Sequence, residues 1–476
     1  MQHGQNLENQ NAETKQLYGA AVLFGLGQQG KRVVQKLVNL REDGHKVDLT
    51  AVFDPNPAKF EEEIVPGKRL ADIFPDTKRI VGTIRDAPFD MKGITVVFDC
   101  SNTVSDGVEN HTANMEAVVQ NGFRGTSWSG RDWFRTYAVE KPTSLDGERL
   151  KRLVMVMRKR KIALTTDYVE SFTPAKSATI KDIAQHSRKV TSIKTFRLSS
   201  TQEKSVKTKR LVIRHNSGAW ADKAHDPMHA AMVIAASHGD IRYARVVKAD
   251  FQMLEIISPN GIKSYIAKDG RFVPGEGEAK NLQGFNDAHA NVAWSASGVT
   301  VRHVSSHLGA KPEDLREIEG WFTPNLKHAV AEASTKRGEP RTPASVTAAY
   351  GANFQNLEAR VAKIECSDGT AYVEQTYGAP GGHFSARINP DGTVDILFEG
   401  PPPDGMMKWV WNAFAASVGV EKPAFTMAEI LKDNEIIQLA SWAANRDTTW
   451  TLDLGDPQQE AFAKFLEKPL REANCW

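Results

Sequence analysis

The chain has little that would tie it to a membrane, a nucleic acid or an oxidising compartment. Cysteine is scarce, with only Cys100, Cys366 and Cys475 in 476 residues. That odd, widely spaced set gives neither a disulfide framework nor a thiolate metal site. Net charge is nearly absent, at +2 from 60 Lys and Arg against 58 Asp and Glu. This removes the broad electrostatic case for nucleic acid. No uninterrupted apolar run reaches bilayer-spanning length. The opening segment, MQHGQNLENQNAETKQ, is polar and lacks an apolar signal core. The expectation is a soluble protein of a reducing, cytoplasmic compartment, with no membrane and no nucleic-acid partner. Residues 1–16 read as a polar, disordered tail.

What is present is ample length and a change of style near residue 170. The chain is long enough for two domains and a large core. From 17 to 170 strands and helices alternate. YGAAVLFG (18–25), VDLTAVFD (47–54), ITVVFDCSN (94–102), RTYAVEKP (135–142) and KIALTTDY (161–168) read as strands. KRVVQKLVNLRED (31–43) and NHTANMEAVVQNG (110–122) read as helices. KRLVMVMRKRK (151–161) reads as an amphipathic helix with a solvated basic face. Such alternation predicts a parallel sheet with helices on both faces, a Rossmann-type α/β domain. From 171 to 476 hairpin signals accumulate: SPNG (258–261), KDG (268–270), SASG (295–298), SDG (367–369) and NPDG (389–392). Helical stretches near 311–360 and 425–446 interrupt them. The second domain is therefore expected to be α+β on a large, mainly antiparallel open sheet, serving substrate binding and oligomerisation.

Gly25-Leu26-Gly27-Gln28-Gln29-Gly30 lies between the first strand and the first helix. In a G-x-G-x-x-G loop the first glycine permits the tight turn. The second lets a pyrophosphate approach the backbone, and the third lets helix and strand pack closely. The helix start supplies unpaired N–H groups and the positive dipole end. Asp54 ends the next strand, where a carboxylate accepts ribose hydroxyls and repels a 2′-phosphate. No arginine stands adjacent to it, and Lys59 is the nearest cation in sequence. The pattern predicts a bound dinucleotide, NAD in preference to NADP.

Glu-Lys-Pro occurs three times, at 140–142, 421–423 and 467–469. Only Lys141 falls at the carboxyl end of a strand of the nucleotide-binding sheet, where ligands of open α/β sheets bind. With these features the chain resembles the glucose-fructose oxidoreductase/inositol dehydrogenase family, Gfo/Idh/MocA. The likeness covers the first 170 residues and continues loosely through the hairpin region. Gly25, Gly27, Gly30 and Asp54 match the dinucleotide-binding positions. Cys100-Ser101-Asn102 followed by His111 is similar to the family segment that lies along the nicotinamide half. Glu140-Lys141-Pro142 matches the signature tripeptide, whose lysine contacts cofactor and substrate. YVESFTPA (168–175) is similar to the segment opening the second domain.

The resemblance implies an NAD(P)-dependent oxidoreductase acting on the hydroxyl or ketone of a sugar, cyclitol or related small polyhydroxylated molecule. It also implies assembly as a homodimer or homotetramer. Such chemistry needs a positive group at the developing alkoxide, which Lys141 can supply, and a base. Two histidines in AHDPMHAAMVIAASHGD (224–240) compete for that role. His229 has the family's distance to Gly239, and Asp226 shares its helix face. His225 stands where the family has an aspartate, and in a second alignment it is itself the base. His225 and His229 could bind zinc from one helix. Pro227 is expected to leave His225 outside it, so no metal is expected. A segment the family lacks, RGTSWSGRDWFR (124–135), is expected at a subunit contact. Two further readings are an NAD-dependent glycoside hydrolase working by transient oxidation and a non-catalytic metabolite sensor.

Overall fold

The first strands form where apolar runs are buried on both faces, as a parallel sheet between helical layers requires. The computed structural model describes residues 16–87, 89–102, 104–105, 108–128, 131–168, 173–198, 220, 225–239, 241, 243–257, 263–266, 272–274, 289–306, 312–338, 342–346, 359–376, 383–401 and 404–453. Six strands make the first sheet: β1 (Tyr18–Phe24), β2 (Lys46–Asp54), β3 (Lys78–Val81), β4 (Val96–Asp99), β5 (Arg135–Val139) and β6 (Ile162–Thr166). Their order is β6-β5-β4-β1-β2-β3, all parallel. The order reverses between β1 and β4, which opens a crevice at their carboxyl ends.

Alternate strand residues face opposite layers. Val22, Phe24, Phe53, Val97 and Val139 pack on α2 (Asn110–Gln120) and α3 (Gly147–Lys159). Leu23, Val52, Val96 and Phe98 pack on α1 (Gln28–Glu42) and on a helix from far along the chain, Gly405–Ser417. Trp409 of that helix is fully buried with its ring 5.5 Å from Phe98. Removing such a side chain costs about 3–5 kcal/mol. On α3 the buried residues are Leu150, Leu153, Val154 and Met157, while Val156 points outward. The basic end of α3 joins Lys92 and Arg124 around an open pocket at the amino-terminal edge of the sheet, opposite the crevice.

The second sheet has eleven strands. They are β7 (Val190–Leu198), β8 (Arg245–Ile257), β9 (Lys263–Ile266), β10 (Phe272–Pro274), β11 (His289–Ala296), β12 (Val299–Ser306), β13 (Ala359–Cys366), β14 (Ala371–Gln375), β15 (His383–Ile388), β16 (Val394–Gly400) and β17 (Asn445–Asp453). The order runs β10-β9-β8-β11-β12-β7-β13-β14-β15-β16, with β17 also on β8. Among the described residues only β7–β12 and β8–β17 pair in parallel. The fold is thus a Rossmann-type α/β unit joined to an α+β unit with a large, mainly antiparallel sheet. Three hairpins turn at the expected places. Ser297 and Gly298 take φ of 51° and 79°, and Gly369 and Gly392 take 83° and 81°. These are the left-handed values that glycine-containing hairpin turns demand. SPNG and KDG lie outside the described residues, as do residues 1–15. In the 124–135 segment Thr126–Trp128 and Arg131–Trp133 form a small antiparallel pair.

One face of the second sheet is covered by Pro312–Trp321 and Pro324–Lys336. The other face meets α4 (Pro174–Gln185) and α5 (His225–His238). The helix α6 (Met427–Ala443) contacts α3 and β6 of the first unit and α5 and β8 of the second. It binds the two units into one hydrophobic cluster.

Candidate active site

The carboxyl ends of the parallel strands line up through a ladder of backbone hydrogen bonds. Gly25 N donates to Phe53 O, Cys100 N to Phe24 O, Glu140 N to Asp99 O and Asp167 N to Val139 O, each at 2.8 Å. Gly25, Cys100, Glu140 and Asp167 therefore stand in a row along the crevice edge, and Lys141 follows Glu140.

The glycine loop divides the work among its residues. Gly25 sits at φ +81°, and a Cβ there would lie 2.6 Å from Cys100 O. A Cβ on Gly30 would lie 2.0 Å from Gly25 O. Around Gly27 there is nothing within 4 Å of that position. Gly27 is the N-cap of α1 and no side chain caps the helix. An open, uncapped helix start of this kind fits a pyrophosphate. Leu26 is buried, and its N–H donates to Asp54 Oδ2 at 2.7 Å. Asp54 Oδ1 accepts from Asn56 N at 2.8 Å. The acid thus fixes the loop while standing at the strand end where a ribose would lie. Gln28 is exposed on the first turn, and Gln29 Nε2 reaches Glu140 Oε1 at 3.5 Å.

Ser101 and His111 are brought together through Asp99. That carboxylate is fully buried and accepts from Ser101 N and Oγ at 3.1 and 2.6 Å. It also accepts from Tyr137 Oη at 2.6 Å and Asn114 Nδ2 at 3.2 Å. His111 is also fully buried, with Nδ1 2.8 Å from Pro142 O and Nε2 3.2 Å from Ser101 O. Each ring nitrogen faces a backbone carbonyl and a neutral ring donates to one of them, so the ring sits between the Ser101 loop and the Lys141-Pro142 turn. Asn102 is exposed, and its carbonyl accepts from Asn110 Nδ2 at 2.7 Å.

Lys141 is largely buried, and its Nζ lies 4.0 Å from Glu140 Oε1. The other Glu-Lys-Pro copies stand elsewhere. Asn412 holds Lys422 O at 3.0 Å on a distant loop, and Lys468 lies outside the described residues. Asp167 is a site residue that the motif reading missed. It is 1% exposed, and neither carboxyl oxygen has a hydrogen-bond partner among the described residues. Burial and then the neighbouring Glu140 push its carboxyl well above the usual range, against an opposing pull from Lys141 and Arg32. A signal for it exists in the sequence, because VFD, VFD and TTD each end an apolar strand in an acid, at Asp54, Asp99 and Asp167.

Asp226 and His229 meet around a second buried cluster. Lys176 Nζ and Arg197 Nη1 lie 3.9 and 3.8 Å from Asp226 Oδ1. His229 Nε2 lies 2.7 Å from Glu374 Oε2 on β14, and its Nδ1 has no hydrogen-bond partner among the described residues. The net pull of His229 and Lys176 outweighs burial and holds Glu374 below the ordinary carboxyl range. His225 opens α5, which corrects the expectation that Pro227 would leave it before the helix. Its side chain, like residues 169–172 and 222–224, lies outside the described residues. Among the described residues no group of three His, Cys, Asp or Glu is placed to hold a metal ion. No helix among them is long and apolar enough to cross a membrane.

The two clusters are linked across the units. Tyr168, directly after Asp167, donates a short hydrogen bond from its hydroxyl to Asp433 of α6. Asp433 in turn feels the charge of Asp226. No protein-family model matches the chain. No curated protein matches it either. Solved structures do. A 3-ketoreductase, KijD10 from Actinomadura kijaniata, in complex with NADP and TDP-benzene, is 13% identical at a TM-score of 0.55, covering 91% of this chain and 99% of that one. An aldose-aldose oxidoreductase from Caulobacter crescentus is 12% identical at 0.55, covering 90% and 97%. Biliverdin reductase from Synechocystis sp. PCC 6803, with biliverdin and NADP+, is 11% identical at 0.54, covering 89% and 98%. The likeness to all three lies in the fold, and the third shows that this fold also serves a substrate that is no sugar.

Proposed function

We propose that the protein is a nicotinamide-dependent oxidoreductase that moves a hydride between NAD and a hydroxyl or ketone of a sugar, cyclitol or related small polar molecule. The observation that carries the reading is the strand-end row. It sets Lys141 beside the crevice that the open, uncapped glycine loop faces. The glycine loop and the start of α1 would hold the pyrophosphate, and Asp54 the adenosine ribose, with NAD preferred over NADP. Ser101, Asn102, Glu140 and Lys141 would line the nicotinamide half. The bound nicotinamide supplies the hydride acceptor or donor.

The remaining chemistry belongs to the chain. The Lys141 ammonium offsets negative charge on the substrate oxygen as it loses its proton. His229 accepts that proton at Nδ1, because Glu374 holds Nε2 and leaves the other nitrogen basic. His225 is the alternative base. Asp226 orders Lys176 and Arg197 beside His229. The likeness in fold to an aldose-aldose oxidoreductase supports the substrate class, and homo-oligomeric assembly and a cytoplasmic location accompany the reading.

The test is a screen for NADH formation across polyols and sugars, run beside a cofactor-free glycosidase assay. Lys141→Ala should abolish turnover while NADH still binds. Unchanged turnover in that variant, or no nicotinamide binding by the wild type, would refute the reading. Aryl-glycoside turnover without added cofactor would point to the redox-neutral hydrolase instead.

A further inference from the structure

We propose that Asp167 and Glu140 act as a carboxyl pair holding a single proton beside Lys141, so that Asp167 is the positioning residue that limits the negative charge the pair sets against the lysine. The role in catalysis rests on the oxidoreductase reading, whereas the pair itself does not.

The geometry comes from the strand-end ladder. Asp167 and Glu140 occupy the same step on adjacent parallel strands, β6 and β5, because Asp167 N bonds to Val139 O and Glu140 N to Asp99 O. Side chains at one step of neighbouring strands stand side by side, roughly 5 Å apart at the backbone. Both side chains are largely buried. Both oxygens of Asp167 and Oε2 of Glu140 have no hydrogen-bond partner among the described residues. Two carboxylates so placed cannot both ionise without severe repulsion, so one keeps a proton. Among the described residues, the groups that act on them are Cys100 from the end of β4, Lys141 from the end of β5 and Arg32 from α1, while Asp99 is turned to Ser101, Asn114 and Tyr137. Asp433 of α6 is turned to Tyr168. Burial, helped by Glu140 and Asp99, keeps Cys100 as a thiol, so it adds no negative charge. With Asp167 neutral, Glu140 and Lys141 form a balanced pair. With Asp167 ionised, the three groups would carry a net negative charge that opposes the negative charge developing on the substrate oxygen.

The consequence is an alkaline decline in kcat/KM caused by the pair losing its proton. The test uses the full-length chain in two arms. In the first, infrared difference spectra at pH 7 compare wild type with Asp167→Asn. Loss of one protonated-carboxyl band supports the pair, and an unchanged band overturns it. In Glu140→Gln the Asp167 band should bleach at lower pH than in wild type. An unshifted titration there also overturns the pair, even if Asp167→Asn does not fold. In the second arm, kcat/KM is followed against pH with a substrate found in the screen. The alkaline limb, about tenfold per pH unit, should be present in wild type and absent in Asp167→Asn. A limb that persists shows a merely structural role and overturns the positioning role. Failure of wild type to bind NADH sinks the oxidoreductase reading and leaves the infrared arm to judge the pair.

Discussion

His229 Nε2 stands 2.7 Å from Glu374 Oε2, and both side chains are closed off from solvent. A helix residue and a sheet residue 145 positions apart thus form one buried unit. Glu374→Ala would leave the imidazole edge unpaired in the interior, so stability should fall by about 1–3 kcal/mol. Glu374→Gln keeps a partner and should cost less. Its activity should nevertheless drop, because an amide no longer fixes which imidazole nitrogen is basic. His229→Ala should lower kcat by about 10²–10⁴-fold. Urea unfolding and steady-state rates on the three variants check this. Equal stability of Glu374→Ala and wild type would show that the pair is not coupled.

The glycine loop separates packing from binding. Gly30→Ala drives a Cβ to 2.0 Å from Gly25 O, so α1 must shift. That overpacking should cost about 1–3 kcal/mol or more. Gly27→Ala meets nothing within 4 Å and should leave the melting temperature unchanged. It should still weaken NADH binding at least about tenfold, because the methyl occupies the path by which a pyrophosphate reaches the backbone. Calorimetry and fluorescence titration of both variants decide the matter. Intact NADH affinity in Gly27→Ala would move the cofactor elsewhere.

Asp54 holds the glycine loop and, on the proposed reading, also meets the ribose. Asp54→Ala strands the buried Leu26 N–H, which Asp54 Oδ2 now accepts at 2.7 Å. The loss should be about 1–3 kcal/mol. Asp54→Ser can still accept one hydrogen bond but removes the negative charge that repels a 2′-phosphate. The NADPH-to-NADH affinity ratio should then rise about tenfold, corresponding to roughly 1.4 kcal/mol. A wild type that already binds NADPH more tightly than NADH would contradict the assignment of Asp54.

What could be read in the sequence was local, and what could not was set by distant packing. The strand-to-helix path from Tyr18 through Gly30 needs only glycines, an apolar run and helical spacing, all within one short stretch. The hairpins at Ser297-Gly298, Gly369 and Gly392 likewise carry their own turn chemistry. Three features depended on the whole fold. Glu374 reads as one polar residue in an exposed-looking strand until α5 lays His229 on it. The helix Gly405–Ser417 gives no sign that Trp409 will finish the core of the first sheet. Asp167 looks like a strand-end polar residue until the register of β5 and β6 puts it beside Glu140. The motif around His111 is legible in the sequence, whereas its full burial between the carbonyls of Ser101 and Pro142 is set by the fold.

His303 gives the fold a pH dependence of definite sign. It lies on β12, fully buried between Trp220 and Trp294, with Nδ1 2.6 Å from Thr195 Oγ1. Burial first, then the charges of His229 and Lys176, pull it from the usual 6.5 down to about 3. The unfolded chain therefore binds a proton at this residue below pH 6.5 that the folded chain refuses until about pH 3. The contribution is complete above the unfolded value and is lost as pH falls through that window. Between pH 7.5 and pH 4.5 the loss from this residue should be about 2–3 kcal/mol. Other buried acids titrate in the same range, and Asp167 and Asp433, both raised, work in the opposite direction. A difference of differences removes them. Unfolding free energies of wild type and His303→Gln, each measured by urea at both pH values, should show the wild type losing more by that amount. The glutamine can keep a hydrogen bond to Thr195, so any fixed offset from repacking cancels between the two pH values. Identical losses in the two proteins would mean that His303 takes up its proton in the folded state as readily as in the unfolded one.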